Sequence, residues 1–440
     1  MTSGYGWDFD IFPGLATRKG RTNYGTSGGA ITRLLANFGN THLVRGVGTQ
    51  LEYNSAGTTW TNIGGTWANA DWDYTNFDIM GPALILVNGV NPSKYWTGST
   101  LIDIPQMPVC KYVASDNRRV YTANKAGDLD TVFFCAFQNA LDWTTLENSG
   151  FVQYYTANGG PITGLHAFQG QIWIFKRDSY AILFHTGDSR ATHRLVEGSN
   201  DIGCVQYRTI VEVDELLIWL GADDVYVGAG GAAKAIGQPI RGVLQNINFA
   251  AIENACAWTD DHRYYLCVPT GANTQPDTEL VYDTRYRKWH IRNIALGGLR
   301  YAAVLNSGPF AGDASGQTFK LQDGYTDAGA TINWQVTTRP YYDGVMEAEK
   351  ELYEMHIQGL INTGTSLTVH VSPEAERDDA WLLIDTQNTT AADNVTQNRN
   401  LIVPLDVVPL TNFYRYRLTG TALVEIQQVQ RYSRIQPVQH

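Results

Sequence analysis

The sequence predicts an all-β protein: a β-propeller of about six blades followed by a C-terminal β-sandwich. Three observations carry this. The stretch 162–184, ITGLHAFQGQIWIFKRDSYAILF, reads as three strands separated by turns at Gln169-Gly170 and at Lys176-Arg177-Asp178-Ser179. Its middle strand, Ile172-Trp173-Ile174-Phe175, shows no polar alternation, so both of its faces need cover; a lone hairpin cannot supply that, and a stack of similar sheets can. Similar apolar cores centre on Val44, Ile85, Tyr121, Trp173, Trp219 and Leu266, at separations of 41, 36, 52, 46 and 47 residues, the spacing of propeller arrays. From Ala330 onward the pattern changes to seven short strands.

Composition agrees. A chain of 440 residues is too long for one ordinary core, which leaves two domains or a repeat array. Gly 43, Tyr 24 and Trp 12 favour strands joined by tight turns. No run nears eighteen apolar residues, so no helix is expected to span a membrane. The opening MTSGYGWDFD lacks the basic and apolar regions of a secretory signal.

In chain order, residues 1–28 are glycine-rich without a sustained period and read as an extended arm that packs on the body or on something else. Residues 29–329 hold the propeller. Most cores are followed by a turn signal, such as Asn88-Gly89 or Gly221–Asp224, and then by a second strand: QLEY (50–53), KYW (94–96), VFFCAF (132–137), YAILF (180–184), DVYVG (224–228) and ELVYD (279–283). The stretch TFKLQDG (318–324) finishes the last blade, closes the ring, or belongs to a seventh blade. A four-stranded sheet has two apolar faces and two costly edges; stacking such sheets around an axis covers the faces.

Residues 330–440 form the sandwich, with strands expected at 332–336, 352–357, 366–371, 381–384, 401–405, 413–418 and 423–432. Alternation is clean in TSLTVHVS, where Leu367, Val369 and Val371 share a face. Residues 387–400 are polar and read as a mobile loop, and 344–354 is the one segment expected to be briefly helical.

Chemical motifs are few. Gly25-Thr26-Ser27-Gly28-Gly29 fits GxSxG, but a nucleophile elbow needs a buried strand before it and a helix after it, and neither is present. Gly228-Ala229-Gly230-Gly231 lacks the strand–loop–helix setting of a dinucleotide site and reads as a hairpin loop. Gly57-Thr58-Thr59-Trp60 matches half of the Asp box of sialidase propellers, with Ser55 in the aspartate position. The histidines, among them His166, His262 and His356, show no metal-ligand spacing. The five cysteines stand singly, as buried free thiols of a protein made in a reducing cell. Arg285, Arg287, Lys288, His290 and Arg292 alternate with Tyr286 and Trp289, suited to a solvated strand face, a phosphate backbone or an acidic neighbour. The net charge of -11 argues against a protein that grips nucleic acid, and suits a surface that DNA slides past. No catalytic, cofactor-binding or metal-ligating residue is assigned.

Four blocks resemble the tail nozzle (tail hub, or packaged-DNA stabilisation) proteins of short-tailed bacteriophages: DNRRVYTANKAGDLDTVFFCAFQNALDWTT (116–145), ITGLHAFQGQIWIFKRDSYAIL (162–183), DIGCVQYRTIVEVDELLIWLGADDVYVGAGGAAKAIGQPI (201–240) and TDDHRYYLCVPTGANTQPDTELVYDTRYRKWHI (259–291). These are diffuse strand signatures on the propeller alone, and no family residue is carried over. The resemblance implies a non-enzymatic virion protein without cofactors, made in the bacterial cytoplasm. Six copies would form a homohexameric ring below the portal and the adaptor, or head-to-tail connector. That ring would retain packaged double-stranded DNA, pass it during ejection, and carry tail fibres or tailspikes. Two other classes compete. A glycan-binding or glycan-cleaving propeller predicts carboxylates, arginines and aromatics converging at one end of the blades, and a receptor-binding virion adhesin predicts trimers.

Overall fold

The structure, a computed structural model, describes residues 3–11, 14–55, 57, 59–116, 118–145, 148–156, 159–188, 191–361, 365–374, 380–388 and 397–436; the side chains of 361, 388 and 397–399 are not among those described. The chain divides into two compact units. One comprises Asn23–Trp289 and Ala295–Lys320; the other comprises Met1–Thr22, His290–Ile294 and Leu321–His440.

The larger unit is a propeller of seven blades. Blades 1 to 6 are four-stranded antiparallel sheets whose first strands are Thr32–Phe38, Asp73–Asp78, Cys110–Ser115, Ile162–Phe168, Val211–Val213 and Cys256–Asp260. Blade 7 starts with Leu299–Leu305 and continues through Gly308–Asp313 and Thr318–Leu321. Each first strand lies toward the axis. Neighbouring first strands stand side by side around the ring, the 3-10 turn Tyr207–Thr209 serving where blade 4 meets blade 5, and blade 7 returns to blade 1. All six apolar cores seen in the sequence are second strands of their blades: His42–Val47, Pro82–Val87, Val120–Lys125, Gln171–Lys176, Leu216–Leu220 and Arg263–Val268. The count is therefore seven, and Thr318–Leu321 belongs to the seventh blade. Its second strand, GPFAGD, does not stand out as a core because it carries two glycines, a proline and an aspartate where the others carry aliphatics.

The unbroken apolar runs are explained by what lies on either side. From the strand PALILV, Leu84 and Leu86 pack with Leu34, Val44 and Leu51 of blade 1. The alternate residues Ala83, Ile85 and Val87 pack with Val113 and Val120 of blade 3. In blade 4, Ile172 and Ile174 face Tyr121 and Val132 of blade 3, whereas Trp173 and Phe175 face Leu217 and Trp219 of blade 5. Period-2 geometry thus sends successive side chains into two different interfaces. The preceding turn, Gln169-Gly170, has φ of 50° and 71°, the type I′ geometry that matches the twist of its strands.

Ring closure brings distant segments together. The strand Arg21–Asn23 stands next to Thr318–Leu321 in the seventh sheet. Tyr24 and Gly28 donate their amides to the Thr318 and Gly316 carbonyls, at 2.8 and 3.0 Å. Arg45 of blade 1 fastens the join. Its side chain is buried; Nη1 donates to the carbonyls of Thr26 (2.9 Å) and Gly316 (3.2 Å), and Nη2 pairs with Glu52 at 2.8 Å. The guanidinium lies 3.9 Å from the Trp60 ring centroid, so the tryptophan of the half Asp box is part of this clasp. Gly316 has φ +80°, and a Cβ there would meet the Ala30 carbonyl oxygen at 2.3 Å.

The second unit is a sandwich of two five-stranded sheets. One has the order Ser3–Tyr5, Asn333–Thr337, Arg415–Thr421, Ser366–Ser372, Leu382–Asn388; the other, Trp7–Asp8, Leu15–Thr17, Val424–Ile435, Lys350–Ile361, Gln397–Pro404. Leu367, Val369 and Val371 point into its core with Trp7, Trp334 and Met355. Two expectations for this region change. Residues 344–349 form turns and bends and a strand begins at Lys350, so no helix is present there. Of the expected mobile loop, 389–396 lie outside the described residues, while 387–388 and 397–400 are strand residues. The residues read as an arm supply three strands to the sandwich and one to the seventh sheet.

Two stability predictions follow from these contacts. Trp173→Ala should cost roughly 3–5 kcal/mol, because a fully buried ring between blades 4 and 5 leaves a cavity. Denaturant unfolding with the midpoint of the native protein would contradict the packing. Arg45→Met should lose about 3 kcal/mol by leaving the Thr26 and Gly316 carbonyls without their donor. Thermal melting measures it, and an unchanged midpoint would mean that the clasp does not hold the ring.

Candidate functional site at the propeller axis

The first strands of the blades enclose an axial cavity of about 390 Å³. Its wall includes Trp258, Tyr207 and Tyr301 beside the polar groups Asp73, His166 and Arg208. Such a mixture of aromatic wall and a few converging polar groups is the usual character of a small-molecule site.

At the end where the first strands begin, charged side chains from four blades meet. Asp71 precedes the first strand of blade 2; Arg33 and Arg300 are the second residues of the first strands of blades 1 and 7; Arg208 lies in the 3-10 turn leading into blade 5. Asp71 is 2.8 Å from Arg33, 3.1 Å from Arg208 and 3.9 Å from Arg300. Burial pushes its carboxyl upward, but Arg208, Arg33 and Arg300 outweigh this and hold it below the usual carboxylate range. Arg208 Nη1 also donates to the Tyr301 hydroxyl at 2.5 Å, its guanidinium lies 4.2 Å from that ring's centroid, and Nη2 donates to the Glu253 carbonyl. The Tyr207 hydroxyl donates to the Trp72 carbonyl at 2.7 Å.

Two titratable groups in the cavity wall are shifted toward their neutral forms by burial. Burial raises the Asp73 carboxyl to about 7, although the amides of Val113 (2.9 Å) and Tyr74 (2.9 Å) donate to it. Burial lowers His166 to about 4, so it is an uncharged ring near pH 7.

A second polar constellation joins blades 3 and 4. His185 Nε2 is 2.6 Å from Asp116 Oδ2, and the Tyr121 hydroxyl lies 2.9 Å from His185 Nε2 and 3.0 Å from His193 Nε2. Burial, followed by the charges of His185 and Arg119, holds His193 down to about 3. Asp116 also accepts the amides of Arg118 and Arg119, both at 2.8 Å, which gives this carboxylate a structural task. Among the described residues, no group of three or more His, Cys, Asp or Glu side chains is placed to hold a metal.

The rim of blade 3 presents apolar rings to solvent. Phe133 and Phe151 oppose each other on adjacent strands with ring centroids 6.3 Å apart, and Phe151 is 61% exposed. Phe137 and Tyr155 are exposed as well. Beside them runs a groove of about 620 Å³ lined by Pro108, Trp143 and Phe151.

The motifs singled out in the sequence lie elsewhere. Ser27 of the GxSxG segment donates to the Ser315 carbonyl at 3.1 Å in the extended closure segment, not on an elbow. Residues 228–231 link the hairpin strands Val225–Gly228 and Lys234–Ala235. All five cysteines are buried and free. The alternating basic run is not one solvated face. Arg285 pairs with Asp283 at 2.8 Å, whereas His290 and Arg292 are buried against Asp8 in the sandwich unit, at 3.4 and 3.0 Å. His262 pairs with Asp214 at 2.7 Å and His356 with Glu354 at 3.0 Å. The arginines around Asp71 are not evident in the sequence because they are spread over 268 positions from Arg33 to Arg300, in three blades with no common motif. A charged residue at the start of a first strand was the only available signal.

No family model matches the chain, and no curated protein matches it. Among solved structures it is similar to the computationally designed Ika8 protein at 9% identity over 68% of this chain and 99% of that one, with a TM-score of 0.40. BamB from Moraxella catarrhalis aligns at 11% identity over 73% of this chain and 96% of that one, TM-score 0.44. The extracellular domain of the putative hybrid two component system BT4673 from B. thetaiotaomicron aligns at 9% identity over 83% of this chain, TM-score 0.48; the chain spans about half, 47%, of that protein. None of these likenesses bears on the site.

Asp73 yields a pH prediction. Its folded-state pKa near 7 exceeds the unfolded value of about 4, so the native state holds a proton that the unfolded chain releases between these values. The stability associated with Asp73 is complete below pH 4 and falls as pH rises through 7. Asp73→Asn should abolish that slope: its melting temperature relative to the native protein should rise from pH 5 to pH 8, on top of any constant offset. A difference independent of pH would show that Asp73 is not held neutral by burial.

Proposed function

We propose that this chain is a structural, non-enzymatic subunit of a short-tailed phage virion, forming the ring-shaped lower tail conduit below portal and adaptor. The observation that carries the reading is the apolar rim of blade 3. Paired aromatic rings left facing solvent, as Phe133 and Phe151 are, are surface that a subunit buries against a neighbour. It supports an assembling protein in general; the phage tail in particular rests on the resemblance of the blocks in 116–291, which fall on blades 3 to 6. In this reading the propeller axis is not the DNA path. A cavity of about 390 Å³, walled by packed first strands, has no room for a duplex, so the conduit is the space enclosed by the ring of subunits. The net charge of -11 suits a lumen that duplex DNA passes without sticking. Mechanism is then mechanical and electrostatic: large interfaces hold the ring, and like charge keeps the DNA moving.

Mass photometry and electron microscopy of the purified chain, alone and with portal and adaptor, test this. Six-copy rings are expected, and the double variant Phe133→Glu/Phe151→Glu should remain monomeric while still unfolding cooperatively. Monomers under every condition would sink the proposal. Trimers would move it to an adhesin.

A further inference from the structure

We propose that the propeller axis is a binding site for a small organic anion, with its carboxylate or phosphate head against the arginine cluster and its body in the axial cavity. The first argument is charge. Three guanidinium groups converge on the single carboxylate of Asp71, and burial raises the carboxyl of nearby Asp73 so that it offsets them only in part. Charges withdrawn from water are normally paired, and here the positive side is in excess.

The second argument is unmet hydrogen bonding. The Arg300 side chain is 5% exposed, yet its Nε has no partner. Its Nη1 reaches Gln275 Oε1 only at 3.4 Å, and its Nη2 stands 3.9 Å from a carboxylate already bonded to two other arginines. Arg33 directs Nε to Asn69 at 3.1 Å and Nη1 to Asp71, with no acceptor for Nη2 among the described residues. Guanidinium edges left open beside one another are the geometry that takes an oxyanion by paired hydrogen bonds.

The third argument is the space. Arg208 belongs both to the cluster and to the cavity wall, so an anion bound to it has the cavity behind it. About 390 Å³ holds a body the size of a monosaccharide, and the Tyr207, Tyr301 and Trp258 rings favour an organic body over a bare ion. Asp71 and Arg33 retain about a fifth of their side-chain exposure, which leaves a solvent-facing side for entry.

Calorimetric titration and thermal shift of the full chain with D-glucuronate, glucose 6-phosphate, inorganic phosphate and glucose test the proposal. At least one of the two organic anions should bind and raise the melting temperature, glucose should not, and inorganic phosphate should bind more weakly than the organic anion; glucuronate against glucose 6-phosphate separates a carboxylate from a phosphate head. Arg300→Gln should weaken binding about tenfold or more. If that variant does not fold, the more exposed Arg33→Gln takes its place. Equal behaviour of all four probes, or unchanged affinity in the folded variant, would overturn the assignment. Because the test uses the isolated chain, it is independent of whether the protein assembles into rings.

Discussion

Closure of the ring is the constraint on which the rest of this structure depends. A blade is a small sheet with two apolar faces, and each face is covered only if a neighbour stands on that side. Six of the seven interfaces join consecutive segments; the seventh must be made between blade 1 and the end of the propeller. Leu35 and Leu43 of blade 1 meet Tyr301 and Phe310 of blade 7 there. Arg45, with the residues just after Asn23 laid along 315–318, ties the two ends. Opening this join would expose two apolar faces at once, so the buried arginine concerns the whole ring. It also joins residues nearly three hundred positions apart, a high-contact-order step that follows the formation of the local hairpins.

Closure also creates the candidate site. Placing seven first strands around one axis brings their initial residues together at one end, and side chains unrelated in sequence become neighbours. That is how Asp71 acquires three arginines and how Asp73 and His166 are shifted toward their neutral forms. A flat sheet of the same strands would leave these groups solvated, with ordinary titration. The electrostatics of the axis is a product of the ring, and the apolar rim of blade 3 is a separate feature at its periphery.

Much of the fold was legible because burial on two faces leaves a mark in the residues. Runs such as LILV and IWIF have no polar alternation, and their recurrence identified the second strands of six blades. The seventh was obscured by Gly308, Pro309 and Gly312, of which Gly312 lies so close to Thr32 that a Cβ would approach its side chain to 2.6 Å. The sandwich strands after residue 330 were equally legible, as Leu367, Val369 and Val371 illustrate, whereas the three supplied by residues 3–17 were not. The segment 344–354 misled because its charged residues resemble a helix surface, whereas Lys350 is buried and donates to the carbonyls of Ala348 and Asn412 at 2.7 and 2.9 Å.

By itself, the sequence determined the all-β class and the repeat, since each rests on local periodicity and turn chemistry. Tertiary structure decided the number of blades, the division of the N-terminal residues among three sheets, and the gathering of Arg33, Asp71, Arg208 and Arg300. The reason is distance along the chain. Periodicity is written within a strand, whereas a join between residue 26 and residue 316, or a cluster drawn from four blades, exists only once the ring has closed.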